Sequence, residues 1–251
     1  MSGPPFHHPD PVEVEVRPRQ GGPPRRMARL SPRDARVWHA LGGRVASTLE
    51  RRLGPEVVAN RILQAGGEWR LETLGTSLRR LRRMMLRIRR AQAEGAVVMS
   101  TDVEDFFPSV TPDTAAQAML SVGATPEDAA HAAAMIEEWA SLGYRGLPIG
   151  PPASAVLANA ILRSVDHAVG VPFLRWVDDY LTIVRSEGQA AEVLERMDKA
   201  LARLALSRST RKTVVGGSGR WLGSMGKSSR ARTFPARSDP SDTLLCPDGY
   251  R

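Results

Sequence analysis

The 251-residue chain has a single cysteine, Cys246, close to its end. An internal disulfide is therefore impossible, and the paired thiols of a structural zinc site are absent. Lysine is almost as scarce, since 32 of the 35 basic residues are Arg. With Ala abundant as well, a GC-rich genome would produce the same bias, so charge alone does not establish a nucleic-acid partner. Met1 to Asp10 lacks a basic stretch followed by an apolar run, which argues against a secretory signal. No apolar run reaches the length of a membrane span, because Arg163 and Asp166 interrupt the best candidate. A cytoplasmic protein with no membrane partner is the expectation. No internal repeat is visible.

What the chain does have is a lopsided charge. Residues 1–95 carry 19 Arg against 9 acids, whereas residues 96–251 carry 16 basic residues against 18 acidic ones. A basic front on a mildly acidic back suits a protein that holds polyanions in one part and metal ions in another. The length allows one large domain or two small ones with a real core.

Four regions can be read. Residues 1–11, rich in Pro, Gly and His, read as disordered. Residues 12–94 form a basic region. Val12 to Val16 alternates like a half-buried strand, Gly21-Gly22-Pro23-Pro24 turns, and Met27 to Leu30 returns. Ser31-Pro32-Arg33-Asp34 opens a helix whose Trp38, Leu41, Val45 and Leu49 share one face until Gly54-Pro55. A second helix is predicted over Leu71 to Ala93, with Leu74, Leu78, Leu81, Met85 and Ile88 in one stripe. Seven arginines surround that stripe, including Arg79, Arg83 and Arg90. They read either as a solvated face or as a phosphate-tracking one.

In residues 95–226, the run Ala96 to Met99 is too short for a helix and reads as a buried strand ending at Asp102. Capped helices open at Thr111-Pro112 and Thr125-Pro126, a Gly/Pro loop spans Gly146 to Pro152, and an Ala/Leu helix follows from Ser154 to Ala168. Phe173 to Val177 and Tyr180 to Val184 read as strands meeting at Asp178-Asp179. Ser186 and Gln189 open another helix, and Thr213 to Val215 and Arg220 to Leu222 read as short strands. Residues 227–251 read as a polar tail.

Asp178 and Asp179 are adjacent acids in an otherwise apolar hairpin. A lone Asp-Asp is usually a solvated turn. Here Asp102 ends a second buried strand, with Phe106 and Phe107 just after it. Acids at strand ends beside a core repel one another and lose hydration unless cations neutralise them. Oxygen-only ligands favour Mg2+, two ions in all, with Mn2+ as the substitute.

These residues resemble the reverse transcriptases, bacterial ones in particular. Asp102-Val103-Glu104-Asp105-Phe106-Phe107-Pro108-Ser109 is similar to the first metal motif of that family. Gly146 to Ser154, followed by Leu157, Ala158 and Asn159, resembles the template and nucleotide loop. Trp176-Val177-Asp178-Asp179 resembles the aromatic-x-Asp-Asp box, Lys212-Thr213 the lysine motif, and Trp221-Leu222-Gly223 the primer-grip turn. Five motifs in order over about residues 95–225 make a specific match.

The resemblance implies an α+β fold: an antiparallel polymerase palm with packed helices, plus a reduced helical and hairpin fingers region. It implies Asp102, Asp178, Asp179 and the Val103 carbonyl as metal ligands. It also implies Phe107 as a steric gate against ribose, Gly150 and Lys212 near the nucleotide, and Trp221 and Gly223 on nucleic acid. The reaction would add deoxynucleotides (dNTPs) to a 3′-hydroxyl, on an RNA template with a DNA or RNA primer. Arg25, Arg26 or Arg29 would meet the triphosphate, and the residues do not choose among them.

Two features depart from the family. Ile149 stands where many members have Gln, and few residues follow Gly223, so no thumb is legible. A partner protein or structured RNA would then supply grip. A catalytically silent nucleic-acid-binding module and a template-independent nucleotidyltransferase are the alternatives. The intact carboxylates argue against the first. A two-metal nuclease is a further reading, but none of the five His falls in a motif. Bacterial chains of this type serve in mobile elements, retrons and phage defence, and nothing in the residues selects among these roles.

Overall fold

The computed structural model describes residues 8–18 and 24–216. Glu13–Arg17 (β1) pairs antiparallel with Arg25–Arg29 (β2) from Glu13↔Arg29 to Arg17↔Arg25. Pro32–Arg52 (α1) follows, and the Ser31 hydroxyl accepts from the Asp34 N–H at 3.2 Å, as its N-cap pattern predicts. The Asp34 carboxylate in turn accepts from the Asp10 N–H at 2.9 Å, and Pro9 is buried. The end of the lead read as disordered is thus packed on α1.

A second hairpin, Ile62–Ala65 (β3) with Glu68–Leu71 (β4), turns at Gly66-Gly67, both at positive φ. It displaces the predicted start of the next helix, which runs Leu74–Ala93 (α2) with Thr73 as its cap. Leu71 belongs to β4 instead. Then come Val97–Asp102 (β5), the short Phe106–Ser109 (α3), Pro112–Ser121 (α4), Pro126–Ser141 (α5) and Pro152–Val169 (α6). Phe173–Trp176 (β6), Asp179–Val184 (β7), Glu187–Ala202 (α7) and Val214–Val215 (β8) complete the described elements. Thr111, Thr125 and Ser186 each cap a helix by accepting an N–H three residues on.

The central sheet has the order β6-β7-β5-β8, and every pairing in it is antiparallel. Its side chains alternate between two cores, as a pleated strand requires. Met99, Tyr180 and Val184 join the larger core with α1, α4, α5, α6 and α7, including Trp38, Trp139 and Leu157. Val98, Leu174, Trp176 and Leu181 join the smaller one with Leu81 and Ile88 of α2. Because α1 shares the larger core, the basic front is packed onto the sheet's helices rather than forming a core of its own. β6 would be a bare edge, but residues 56–58 cover it: Arg175 N donates to the Glu56 carbonyl at 2.9 Å and Val58 N to the Arg175 carbonyl at 3.1 Å.

The predicted Gly21-Gly22-Pro23 turn, the Trp221-Leu222-Gly223 turn and the 227–251 tail lie outside the described residues, as does the segment on which the thumb expectation rested.

Candidate active site

The register of β5 on β7 ends with Asp102 opposite Asp179, so two acids on separate strands form the last cross-strand pair. β6 pairs with β7 as far as Trp176↔Asp179, leaving Val177-Asp178 as a two-residue turn. Asp178 therefore adjoins the pair from the turn. By the pleat, Asp102 and Asp179 share the face that carries Val98 and Leu181, the face α2 covers.

Val177 sits at φ 58, left-handed backbone that a β-branched residue rarely adopts. Such a conformation costs about 1–3 kcal/mol and persists only where the surroundings enforce it. Here they do so at both carbonyls of the turn. Arg175 Nη1 donates to the Val177 carbonyl at 2.8 Å, and Val103 N donates to the Asp178 carbonyl at 3.3 Å.

Asp102 is buried, with one carboxylate oxygen, Oδ2, bonded by the Lys212 ammonium. Its other oxygen, Oδ1, is buried without a hydrogen-bond partner among the described residues. Burial first, then the charge of Asp102, pushes the half-buried Asp178 carboxyl up to about 6, against the opposing pull of its own N–H, Lys212 and Arg25. An orphaned anionic oxygen beside a carboxyl that resists ionisation marks a missing positive charge. The donor set is all oxygen, so the acids suit a hard divalent cation such as Mg2+. Val103 fits as a further ligand: its bridge to Arg208 uses the Glu104 N–H and the Asp102 carbonyl, and among the described residues the Val103 carbonyl has no hydrogen bond. Among the described residues, no three His, Cys, Asp or Glu side chains already enclose a single point. The acids are gathered at one end of the sheet but not closed into a cage.

Lys212 is on this site, though on a carboxylate. Burial pulls its pKa down, but its bond to Asp102 and the charges of Asp102, Asp179 and Asp178 outweigh that and raise it. Of the three arginines expected to meet the triphosphate, Arg25 acts on Asp178. The charge of Arg26 falls on Tyr144 instead, and that of Arg29 on Glu15.

Phe107 is half-buried, edge-on to the buried Phe106 with ring centroids 5.2 Å apart, and it touches both cores. Its carbonyl accepts from Leu147 N at 2.8 Å, which clamps the Gly146–Pro152 loop onto the segment after Asp102. A Cβ at Gly146 (φ 74) would lie 2.1 Å from that same carbonyl, so only glycine permits the clamp. Ile149 is fixed by its backbone: its N–H donates to the Tyr144 hydroxyl at 3.0 Å, and its carbonyl accepts from Ala28 N of β2 at 2.7 Å. Gly150 sits at φ 124, where any side chain is strained, and it lies against Met27 and Ala28 of β2. The β1–β2 hairpin is thereby docked on the loop.

Arg79, Arg83 and Arg90 are exposed on α2, Arg79 bonded to Thr76 and Arg90 to Glu94. Trp221 and Gly223 lie outside the described residues. Sequence reasoning missed the buried group beneath the turn. Arg175 forks onto Asp166 (2.7 and 2.8 Å) and reaches Asn159 Oδ1 at 2.9 Å, while the Tyr180 hydroxyl donates to Asp166 at 2.9 Å. The available signal was a charge inside each of two largely apolar segments: Arg175 in β6, and Asp166 beside Arg163 in α6.

An antiparallel sheet backed by helices, with acids gathered where two of its strands end, is the palm of a nucleic-acid polymerase. The family model for reverse transcriptase (RNA-dependent DNA polymerase) matches residues 50–225, and the chain belongs to that family. The chain also resembles apo telomerase from Candida tropicalis. Against the form truncated from its C-terminal domain it is 10% identical, covering 88% of this chain and 52% of that one at a TM-score of 0.51. Against the other apo structure it is 9% identical, covering 87% and 46% at a TM-score of 0.54. The chain spans about half the length of these structures, and at such identities the likeness concerns the fold. No curated protein matches the chain. No helix among the described residues is long and apolar enough to cross a membrane.

Proposed function

We propose that the chain is a template-directed DNA polymerase that adds dNTPs to a primer 3′-hydroxyl, with RNA as template. The observation that carries this reading is the Asp102–Asp179 pair with Asp178 beside it, the Asp102 Oδ1 oxygen buried and unmet among the described residues, on a reverse transcriptase palm. Asp102, Asp178, Asp179 and the Val103 carbonyl would hold two Mg2+ ions, or Mn2+ in their place. Such ions, when bound, lower the pKa of the attacking hydroxyl and offset charge on the departing pyrophosphate. The reaction joins the 3′-oxygen to the α-phosphorus and breaks the bond to pyrophosphate.

The chain's own residues set the stage. Phe107, rigid against Phe106 at the foot of β5, would press on the sugar and exclude a 2′-hydroxyl. Arg25 and Lys212 bring cationic groups to the carboxylate end, where a triphosphate needs them. Gly150 and the Ile149 backbone join the nucleotide loop to the β1–β2 hairpin, so the hairpin is placed to report on an incoming dNTP. The exposed arginines of α2, on the carboxylate face of the sheet, would track template or primer phosphates. A cytoplasmic site of action, and a partner protein or structured RNA that adds grip on the duplex, belong to the same reading.

The test is incorporation of dTTP on poly(rA) primed with oligo(dT), with Mg2+ or Mn2+. Asp102→Asn, Asp178→Asn and Asp179→Asn should each lower the rate at least ~100-fold while the fold survives. Full activity in Asp178→Asn would sink the assignment.

A further inference from the structure

Beneath the carboxylate turn lies a group of charged and polar side chains, buried except for the edge of Asp166, with no direct part in the chemistry proposed above. Arg175 is completely buried, as is Tyr180, and Asn159 is nearly so. A buried guanidinium is costly unless its donors are met, and here four hydrogen bonds engage all three of its nitrogens. The fork on Asp166 uses Nε and Nη2 at 2.7 and 2.8 Å, while Nη1 divides between Asn159 Oδ1 at 2.9 Å and the Val177 carbonyl at 2.8 Å. The Tyr180 hydroxyl adds a third hydrogen bond to Asp166, and its ring lies 5.9 Å from the guanidinium carbon. Asn159 spends its amide on the Asn60 carbonyl at 3.1 Å.

Three of these contacts would serve a purely structural ion pair. The contact to Val177 would not, because it falls on the carbonyl of the one left-handed residue in the turn, immediately before Asp178. We infer that Arg175 is a positioning residue: braced by Asp166, Tyr180 and Asn159, it holds the Val177 peptide in its unfavourable conformation and so aims Asp178 beside Asp102 and Asp179. The inference rests on the proposed metal role of these acids. Rigid support under a site of this kind is what keeps ligands within a fraction of an ångström of working geometry. Lysine cannot replace this arginine, since one ammonium has no planar fork with which to reach Asp166 and the Val177 carbonyl at once.

The experiment uses Arg175→Lys in the full chain, with Mn2+ alone as the probe, followed by electron paramagnetic resonance, and with amide hydrogen exchange over residues 176–180. Lys keeps a cation opposite Asp166, so the fold should hold. Mn2+ affinity should drop at least ~10-fold and the turn amides should exchange faster. Adding Val177→Gly, which takes a positive φ without strain, should restore most of the affinity. A packing role predicts the opposite, because that second change deletes a buried side chain.

Folded Arg175→Lys with wild-type Mn2+ affinity and wild-type exchange would overturn the inference. If Arg175→Lys does not fold, the apolar replacement Asp166→Leu/Arg175→Met/Tyr180→Phe removes the whole ion pair without leaving an unpaired charge, and the same two readouts decide. If the wild-type chain binds no Mn2+, the proposed metal site fails. The exchange rates, with and without Val177→Gly, then still judge whether Arg175 holds the turn.

Discussion

The Lys212 ammonium rests on Oδ2 of Asp102, so the protein itself supplies one cation to the most buried of its three site carboxylates. Lys212 is 58% exposed along its side chain. It is therefore free to leave when a better-suited cation arrives, and a divalent ion must compete with it. An ion pair whose ammonium is this exposed contributes on the order of 1 kcal/mol. Lys212→Met should accordingly tighten Mn2+ binding by roughly fivefold, while dNTP incorporation falls if the lysine goes on to meet phosphate. Weaker Mn2+ binding by the variant would show that Lys212 and the metal do not share a place.

Asp178 makes the stability of the metal-free protein depend on pH with a definite sign. Burial and the neighbouring Asp102 raise its carboxyl from an ordinary 3.8 to about 6. The folded state then holds a proton that the unfolded chain has released, so stability is lost as pH rises through that interval. The thermal midpoint of the metal-free protein should fall between pH 4 and pH 6.5 by more than it does in Asp178→Asn. Millimolar Mg2+ should restore the loss at the upper end, because a ligand that binds only the folded state stabilises it. Identical pH profiles for the two proteins would mean that Asp178 is not held above its usual range.

The sugar preference assigned to Phe107 has its own test. The ring is half-buried and braced edge-on by Phe106, and its backbone anchors Leu147. Truncating the ring leaves the backbone contact in place. Phe107→Ala should raise the ratio of ribonucleotide to deoxynucleotide incorporation by at least ~10-fold, a little over 1 kcal/mol of discrimination, with metal dependence intact. An unchanged ratio in a folded variant returns Phe107 to the core.

The parts legible from sequence are those whose pattern is local. The runs Ala96 to Met99, ending at Asp102, and Tyr180 to Val184 read as short buried strands and are strands; their pairing with each other is what the structure adds. Ser31, Thr111, Thr125 and Ser186 were readable as caps because each sits before a periodic run. The β3–β4 hairpin was missed although Gly66-Gly67 between two short runs is a hairpin signal; the strong apolar stripe of α2 drew the helix start three residues too far forward. Lys212 is expected near the nucleotide from its motif, but its pairing with Asp102, 110 positions away, is written in no local pattern. Arg175 and Asp166 were not legible as partners at all. A charge in a strand and a charge in a helix join only when tertiary packing lays α6 under β6, and no periodicity encodes that.

The arginines of α2 yield the last expectation. Leu81 and Ile88 turn inward to the sheet, and the pattern of the helix leaves Arg79, Arg83 and Arg90 exposed on its other side. Arg80 differs from them: it pairs with Glu72 at 3.1 Å and is partly buried, so its charge is already engaged. If the exposed three contact phosphates, binding of a primed template must release the counterions they displace, and affinity must fall steeply with salt. Replacing Arg79, Arg83 and Arg90 together with Gln should then flatten the slope of log K against log salt by about two, at less than one unit per contact. Arg80→Gln should leave that slope unchanged and lower stability instead, by about 1 kcal/mol. The measurement is fluorescence anisotropy of a labelled primer–template duplex across a salt series. A triple variant with the wild-type slope would make α2 a solvated face over the sheet, and the duplex path would have to be sought on the β1–β2 hairpin around Arg25.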